Sequence, residues 1–302
     1  MSERAPAWVA AVVLHYNRPA GALACVDSLL ASTHASFEVA VVDNGSRAES
    51  LADLQAGIAR RTGVTLVRLE ANRGYTGGMN AAFAHALATR ADYVWLLADD
   101  VHVAPEAMAV SIAALEARPD AGVVAPLTYF ADEPRRIWYA GGFVRRETLG
   151  RALNRGLGEE DRGQYARPEL VDYAHGSSLF ARREVAAKIG GMNEDYFTYW
   201  EDADWCQRAL KAGWGTLFVP AAHLWHHVTP NTSGQLDRAR LYDGRNRMLW
   251  HQRHRPGRLL PVVLWTLAAV PLYALQGRAH EGWLQARGVF AFLIGSRGRM
   301  DA

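Results

Sequence analysis

The first part of the chain alternates short apolar runs with helical stretches, and this alternation constrains the fold more than any other feature. WVAAVVL precedes a helical stretch, and the same pairing recurs with FEVAVVD, VTLVRL and YVWLLADD before GVVAP. Continuous apolar strands separated by amphipathic helices are typical of a parallel sheet that is covered on both faces. We therefore predict an open α/β sheet over roughly the first hundred residues.

Polar residues follow each predicted strand, in the segments LHYNRP, VVDNGS, LEANRGYTGG and LLADDVH. Ligands of open α/β sheets bind beyond the carboxyl ends of the strands. These turns contain neither G-x-G-x-x-G nor a G-x-x-x-x-G-K-[ST] loop, which disfavours a dehydrogenase or a P-loop enzyme. LHYNRPAG also lacks the Gly-rich loop and following basic residue of a sugar nucleotidyltransferase. We expect one polar rim formed by Asp43, Asn44, Asn72, Arg73, Asp99 and Asp100.

Charge and cysteine content exclude several classes of partner and compartment. The 33 basic and 31 acidic residues give a net charge of +2 and are mostly interspersed, so nucleic acid is not an expected partner. Cys25 and Cys206 lie far apart in sequence and suggest neither a metal site nor a disulfide framework. The N-terminus lacks the basic-then-apolar layout of a signal peptide, so we expect a cytoplasmic protein.

Three acids stand close together in WEDADW, at the predicted start of a helix. Glu201, Asp202 and Asp204 could serve there as capping groups, because carboxylates complement the positive end of a helix. A carboxylate between tryptophans is also partly desolvated, which raises its pKa toward the range of a general base. The segment between the sheet and this helix, IWYAGGFVRRETLGRALNRGLGEEDRGQY, predicts hairpins and a loop. A later strand, GTLFVP, leads into AAHLWHHVTP, where we expect His223, His226 and His227 to approach one another.

The end of the chain places a cluster of Arg and His next to a largely apolar run at 259–275. This run is marginal for a spanning helix, which needs about 20 apolar residues. A basic segment leading into an apolar one with Trp and Tyr is typical of a helix at the membrane surface. A buried helix hairpin that packs on the main domain is an alternative of nearly equal weight.

The ordered set of motifs resembles family 2 glycosyltransferases with the GT-A fold, in particular their bacterial rhamnosyltransferase-like branch. The matching segments span about residues 8 to 250 and are LHYNRPAGALACVDSLL, VVDNGS, NRGYTGGMNAA, WLLADDVHV, IWYAGG, GMNEDYFTYWEDADWCQRALKAGW, VPAAHLWHHVTPNTSG and YDGRNRMLW. The resemblance implies a GT-A domain over 7–250, with a nucleotide-sugar-binding half at 7–100 and an acceptor-binding half at 101–250. Residues 251–302 would form a C-terminal helical segment.

The resemblance implies an inverting, metal-dependent transfer of a sugar from a nucleoside diphosphate donor to an acceptor hydroxyl. Such a reaction needs Mg²⁺ or Mn²⁺ for the diphosphate and a base for the hydroxyl. The acidic motif of the family reads Ala98, Asp99, Asp100 here, so its first position departs from D-x-D. By resemblance Asp100 is the expected metal ligand, Asp99 contacts the metal or the ribose, and His226 is a second ligand, with His227 as an alternative.

For the base, the E-D pair of the family corresponds to Glu201 and Asp202, and Asp202 is the expected base. Glu201 is expected to cap the helix or bond a neighbour, and Asp204 to contact Arg208 at i+4. The same resemblance assigns the nucleotide sugar to Asn17, Asp43, Asn72, Arg73, Gly77, Gly78, Asn80, Asp99 and Arg245.

The rings near the E-D pair suit stacking on an acceptor sugar, and we expect this of Tyr199, Trp200 and Trp205. A patch of core aromatics is the alternative for each ring. The branch implies a dTDP- or UDP-sugar donor and a glycan or lipid-linked acceptor, with membrane association and a homodimer left open. Because of Ala98, a degenerate homologue that binds nucleotide sugar or glycan without turnover is the competing hypothesis.

Overall fold

The computed structural model of the chain describes residues 6–145, 150–228 and 233–300. Strands and helices alternate through its first half, as the sequence predicts. The strands are β1 (Val9–His15), β2 (Phe37–Asp43), β3 (Val64–Arg68), β4 (Tyr93–Ala98), β5 (Val101–Val103), β6 (Ala121–Phe130), β7 (Ile137–Tyr139), β8 (Gly142–Val144), β9 (Ala152–Asn154), β10 (Glu169–Val171), β11 (Ser178–Arg182) and β12 (Gly215–His226).

The helices alternate with the strands at first and then follow them at the C-terminal end. They are α1 (Pro19–Leu30), α2 (Ala48–Ile58), α3 (Gly74–Ala88), α4 (Ala107–Glu116), α5 (Arg183–Ile189), α6 (Glu201–Lys211), α7 (Ser233–His254), the 3-10 turn η1 (Pro256–Arg258), α8 (Leu259–Ala268), α9 (Val270–Leu275) and α10 (Ala279–Leu293). Helix α7 runs across residue 250, where we had expected the catalytic domain to end.

The large sheet has the strand order β10-β12-β6-β11-β4-β1-β2-β3, with β5 paired to β12 and β7 to β6. Strands β3, β2, β1 and β4 are parallel to one another, and β6 is parallel to β12. Strand β11 is antiparallel to both β4 and β6 and joins the two parallel parts. The predicted open α/β sheet is therefore confirmed, with a mixed second half.

The sheet separates two hydrophobic cores, and β1 contributes to both because its side chains alternate between the faces. Ala10, Val12 and Leu14 belong to the core that also contains residues of α3, α5 and α6. Val9, Ala11 and Val13 face the opposite core, which is covered by α1, α2 and α4. Burial on both faces explains why these strands read as continuous apolar runs.

The segment predicted to contain hairpins forms the short β8–β9 hairpin, which is separate from the large sheet, and β7, which pairs with β6 of that sheet. Part of that segment, 146–149, lies outside the described residues. Strand β12 is longer than predicted and continues to His226. Its extended backbone carries the three histidines to different neighbours, so the expected cluster of His223, His226 and His227 does not form.

The C-terminal helices both pack on the domain and expose apolar surface. Helix α10 lies against α7 at very short range, since a Cβ on Gly288 would lie 2.4 Å from the carbonyl oxygen of Leu241. In contrast, Pro256–Leu275 has a mean hydropathy of 1.7 with only 17% of its most apolar window buried. By length and composition this segment reaches the size of a membrane-spanning helix.

Candidate active site

A cleft opens where the carboxyl ends of β1, β2 and β4 meet the start of α6 and the end of β12. It consists of two adjoining cavities of about 920 and 650 Å³. Both are lined by Tyr75, Ala98, Asp100 and Tyr199. The larger cavity also contains Asn44, Asn72 and Asp99, and the smaller one contains Glu201, Asp202 and His226. We call them the donor half and the acceptor half.

Asp100 and His226 meet at the junction of the two halves. Strand β12 pairs with β5 in a register that sets His226 opposite Val101. Nε2 of His226 consequently lies 3.2 Å from Oδ1 of Asp100. Burial opposes ionisation of Asp100, but the contacts with His226 and Arg18 outweigh it and lower the pKa of this carboxyl group. His227 points elsewhere, toward His102 at 3.0 Å.

Asp99 lies deeper than Asp100 and is held by different partners. Its carboxylate is 3.5 Å from Nδ1 of the buried His15 and 3.5 Å from Arg18. Burial raises the pKa of Asp99. Arg18 donates a hydrogen bond to Asp100 at 3.0 Å and is 41% exposed, so it bridges the two aspartates from the open side of the cleft.

Asp202 forms the opposite wall of the acceptor half. Its Oδ2 accepts a hydrogen bond from the backbone N–H of Gly176 at 2.8 Å, and its Oδ1 accepts one from Ala203 at 2.7 Å. Burial raises the pKa of Asp202 to about 6, although these two hydrogen bonds act in the opposite direction. The group is therefore ionised near neutral pH and still basic enough to accept a proton.

Glu201 lies beside Asp202 in a different environment. Its Oε2 atom is buried and has no hydrogen-bond partner among the described residues. Burial, followed by the charge of Asp202, raises the pKa of Glu201 well above its usual range. A hydrogen bond from its own backbone N–H, in the first turn of α6, acts in the opposite direction on the pKa. Asp204 makes the expected contact with Arg208 at 2.9 Å and also binds His254 at 2.8 Å, away from the cleft.

The segment before α6 has an uncommon backbone conformation. Phe197, Tyr199 and Trp200 have φ values of 64°, 64° and 74°, in the left-handed region that bulky side chains rarely adopt. Such conformations cost free energy and persist only where the surroundings hold them. Here Asn246 of α7 donates hydrogen bonds to the carbonyl oxygens of Tyr196, Thr198 and Tyr199.

Of the residues predicted to bind the nucleotide sugar, Asn72 and Asp99 line the donor half. The side chain of Asn72 accepts a hydrogen bond from the N–H of Gly74. Asp43 is fully buried beneath this surface and bonds Ser46. Asn17 (φ 56°) braces the same turn by accepting a hydrogen bond from Arg47. Arg73 extends to Glu194, outside the residues that line the cleft.

Other residues predicted to bind the nucleotide sugar take part in packing in this structure. Gly77 and Gly78 lie within α3, where an added Cβ would clash with Arg73 and with Leu14. Asn80 bonds Met192 and Glu194 instead of lining the donor half. Their part in the site is to let α3 pack closely and to hold the 192–194 segment.

Arg245 and Trp205 also do not reach the cleft. Arg245 is fully buried, and its guanidinium donates to the carbonyl oxygens of Asp195, Tyr196 and Gly298. Since its donors are used by backbone carbonyls, it is not in position to bind a diphosphate. Trp205 is 0% exposed and stacks on Phe83 in the core. Of the expected acceptor rings, Tyr199 (44% exposed) and Trp200 do line the acceptor half.

Two residues of the acceptor half, His175 and Tyr75, were not singled out from the sequence, and neither was Trp138, which packs against His175 and His226. His175 is half-buried with its ring against Trp138, and burial lowers its pKa to about 3, so it is a neutral imidazole. Trp138 separates His175 from His226, with its ring 4.2 Å from the latter. Tyr75 donates a hydrogen bond to the carbonyl oxygen of Gly176. The segments IWYAGG, HGSS and NRGYTGG contain Trp138, His175 and Tyr75, but only the fold brings these residues to the side of the cleft opposite Asp202.

The Asp100–His226 pair fits a divalent cation that is shared with a diphosphate. Mg²⁺ is commonly bound through one or two carboxylates together with substrate phosphates and water. Among the described residues, no third Asp, Glu, His or Cys joins the pair to form a metal-binding group. Nδ1 of His226 is buried without a described partner, so the imidazole meets Asp100 through Nε2 alone. Asp100 suits the role of ligand better than Asp99, which is engaged with His15.

Known proteins resemble the chain in both sequence and structure. The glycosyl transferase family 2 model matches residues 10–190. The N-acetylglucosaminyl-diphospho-decaprenol L-rhamnosyltransferase of Mycobacterium tuberculosis is 29% identical over 226 residues, covering 68% of this chain and 71% of that protein. Galactofuranosyltransferase GlfT1 of the same species is 30% identical over 219 residues, covering 72% and 69%.

The fold also matches solved glycosyltransferases. The mannosyltransferase PcManGT from Pyrobaculum calidifontis, in complex with GDP-Man and Mn²⁺, has a TM-score of 0.60 at 16% identity, covering 96% of this chain and 90% of that one. GalNAc-T7 with UDP, GalNAc and Mn²⁺ has a TM-score of 0.60 at 15% identity, covering 96% and 57%. These likenesses confirm the GT-A fold, and together with the family match they show that the chain belongs to glycosyl transferase family 2.

Proposed function

We propose that this glycosyltransferase moves a sugar from a dTDP- or UDP-linked donor to an acceptor hydroxyl, with inversion and with the help of Mg²⁺ or Mn²⁺. The transferred sugar would be rhamnose-like or a hexose, and the product a cell-surface glycan or glycolipid. The observation that supports this most directly is that one cleft is lined by both Asp202 and the Asp100–His226 pair. A base and a metal-ligand pair are the two groups that such a transfer needs.

In the proposed reaction, Asp202 accepts the proton of the acceptor hydroxyl while the oxygen of that hydroxyl forms a bond to the anomeric carbon. The bond between that carbon and the diphosphate oxygen breaks, and the nucleoside diphosphate leaves with the electron pair. The N–H groups of Gly176 and Ala203 hold the carboxylate of Asp202 in one orientation. A neutral Glu201 beside it avoids a second negative charge in the buried wall.

A divalent cation held by Asp100 and His226 would offset the negative charge that develops on the diphosphate. Arg18 is the one cation that contacts both aspartates in the described part of the cleft, at 3.5 Å from Asp99 and 3.0 Å from Asp100. We assign it to the diphosphate as well, because guanidinium groups bind phosphate oxygens through several donors. Tyr199 and Trp200 would stack on the acceptor.

The acceptor class is proposed from the relatives. One of them is named for transfer to a diphospho-decaprenol-linked sugar. A lipid-linked acceptor at the membrane surface agrees with the exposed apolar segment Pro256–Leu275. We therefore propose peripheral association with the inner face of the cell membrane.

A donor and acceptor screen tests this function. The purified chain is incubated with dTDP-rhamnose or UDP-hexoses, Mg²⁺ or Mn²⁺, and lipid-linked or soluble sugar acceptors, and products are identified by mass spectrometry. We expect one donor to be consumed with formation of a glycosylated acceptor, and chelation by EDTA to stop the reaction. Binding of donors without transfer to any acceptor would instead support the non-catalytic hypothesis raised by Ala98.

A further inference from the structure

A second cavity, of about 270 Å³, lies where the end of α7 meets η1 and the start of α8. It is lined by Arg145, Gly150, His251, Arg255, Gly257, Arg258, Pro261 and Val262. None of these residues lines the catalytic cleft. It is therefore a separate site, which we call the basic pocket.

The charge of the basic pocket is of one sign. Among the described residues, its lining includes Arg145, Arg255 and Arg258 and no Asp or Glu. Within the described residues Arg258 makes no ion pair, while Arg255 donates to the carbonyl oxygen of Val144 and keeps its charge unmatched by a carboxylate. The pocket is thus a concentration of positive charge with room for one small anion.

His251 adds a buried polar group without a partner. It is fully buried, its Nε2 lies 3.3 Å from the carbonyl oxygen of Gly150, and its Nδ1 has no hydrogen-bond partner among the described residues. Burial lowers the pKa of His251 to about 4, and the charges of Arg255 and Arg258 act in the same direction. Because Nε2 of this neutral imidazole donates to Gly150, Nδ1 is an acceptor, so His251 would accept a hydrogen bond from a hydroxyl of the head group while the arginines meet the phosphate.

Apolar side chains extend from the pocket along α8. Pro261 lines the pocket, and Leu264 and Trp265 follow it at i+3 and i+4, on the same side of the helix. Leu264 is 58% and Trp265 52% exposed. The exposed large residues of the segment, which we call the apolar stripe, are Leu260, Leu264, Trp265, Leu267, Leu272 and Leu275.

We propose that the basic pocket binds the phosphate of an anionic phospholipid while the apolar stripe lies in the surface of the same bilayer. A cationic site for the head group next to side chains that partition into the acyl region is the arrangement that a membrane-surface helix requires. A soluble phosphate would match the charge of the pocket but would leave the stripe in water. The two features together therefore favour a lipid as the ligand.

This inference deepens the proposed function, because a lipid-linked acceptor would lie in the same bilayer. Vesicle binding needs neither donor nor acceptor, so its failure can be distinguished from a failure of sugar transfer. Binding of the full-length chain is measured by co-sedimentation with phosphatidylcholine vesicles, with and without phosphatidylglycerol. The variants are Arg258→Glu in the pocket, Leu264→Ser in the stripe, and Arg60→Glu as the matched control, since Arg60 is exposed at the end of α2.

We expect the unmodified chain to bind vesicles with phosphatidylglycerol more tightly than those without it. Arg258→Glu should weaken that binding about 10- to 30-fold, whereas Arg60→Glu should change it less than about 3-fold. Leu264→Ser should weaken binding to both kinds of vesicle. Melting temperatures establish that all variants are folded. We expect Arg258→Glu and Leu264→Ser to fold, because neither side chain is fully buried.

Two results would overturn the proposal. One is equal loss of binding in Arg258→Glu and Arg60→Glu, which would indicate attraction by overall charge without a specific pocket. The other is stabilisation of the chain by inorganic phosphate, abolished by Arg258→Glu, in a protein that ignores both kinds of vesicle. That outcome would assign the pocket to a soluble anion.

Discussion

Asp202 and Glu201 are neighbouring buried carboxyl groups, and the hydrogen bonds that each one accepts give them different pKa values. Two backbone N–H groups point at Asp202, while Oε2 of Glu201 has no partner in the described structure. Hydrogen bonds to the charged form favour it, and desolvation disfavours it. The proton of the pair is therefore held by Glu201, and the negative charge by Asp202. The sequence placed both at the start of a helix, but only the position of Gly176 distinguishes them.

The first prediction concerns Asp202. Asp202→Asn should lower the transfer rate at least about 100-fold, because an amide cannot accept the proton. In the unmodified enzyme kcat should fall tenfold per pH unit below about 6, since protonation of Asp202 removes the base, and should level off above that pH. Steady-state kinetics from about pH 4.5 to about pH 8, a range that extends to both sides of the pKa of Asp202, measure both effects. Substantial activity in Asp202→Asn with a normal melting temperature would contradict the assignment.

The second prediction concerns Asp100. Asp100→Ala should remove the dependence of donor binding on Mg²⁺ or Mn²⁺, because His226 alone is a weak site for these ions. Nucleotide affinity is measured by calorimetry with the metal and with EDTA. His227→Ala is the matched control, since His227 faces His102 and not the cleft. An unchanged response to metal in Asp100→Ala would show that the ion is held elsewhere.

At the scale of elements, the sequence predicted the parts of the site that follow directly from strand ends. Asp99 and Asp100 follow β4 directly, so a parallel sheet places them at its carboxyl edge whatever the rest of the fold. The pairing of His226 with Asp100 depends on the register of β12 and β5, which was not predicted. The resemblance indicated His226 as a ligand with His227 as an alternative, and the register brings His226 to Asp100. Trp205 and Trp200 look equivalent in WEDADW and both belong to the same core, but only Trp200, which precedes α6, also lines the acceptor half.

The third prediction tests the packing of α10 on α7. Gly288→Ala should lower the free energy of unfolding by about 2 kcal/mol, because its Cβ would overlap the backbone of α7, which cannot give way as a flexible side chain can. Gly234→Ala near the start of α7 is the control, since a Cβ there meets nothing within 4 Å. It should be neutral or slightly stabilising. Urea unfolding of both variants measures the difference, and equal stability would mean that the helices approach less closely.

At the scale of the whole molecule, the C-terminal helices support the catalytic wall from behind. Arg245 and Asn246 of α7 bind carbonyl oxygens of the 195–199 segment, just before α6 begins. The end of the chain joins this support, as Gly298 donates to Asp195 and Met300 to Tyr242. Arg245 in YDGRNR was predicted to bind the diphosphate. The sequence alone could not show that this arginine is buried and donates to carbonyl oxygens, because that depends on the tertiary structure. Removal of residues 257–302 would accordingly disturb catalysis as well as any contact with lipid.

The last prediction separates support of the site from general stability. Arg245→Met should lower kcat about tenfold or more, because the 195–199 segment loses the donors that hold it and the start of α6 shifts. The KM for the donor should rise as well, because Phe197, Thr198 and Tyr199 of this segment line the donor half. Leu54→Ala, in the core on the other face of the sheet, is the control. It should lower the free energy of unfolding by about 3 kcal/mol, comparable with Arg245→Met, without touching the cleft. If both variants keep the kcat of the unmodified enzyme below their melting temperatures, Arg245 contributes to folding alone. If only Arg245→Met loses kcat, the C-terminal helices are part of the catalytic apparatus.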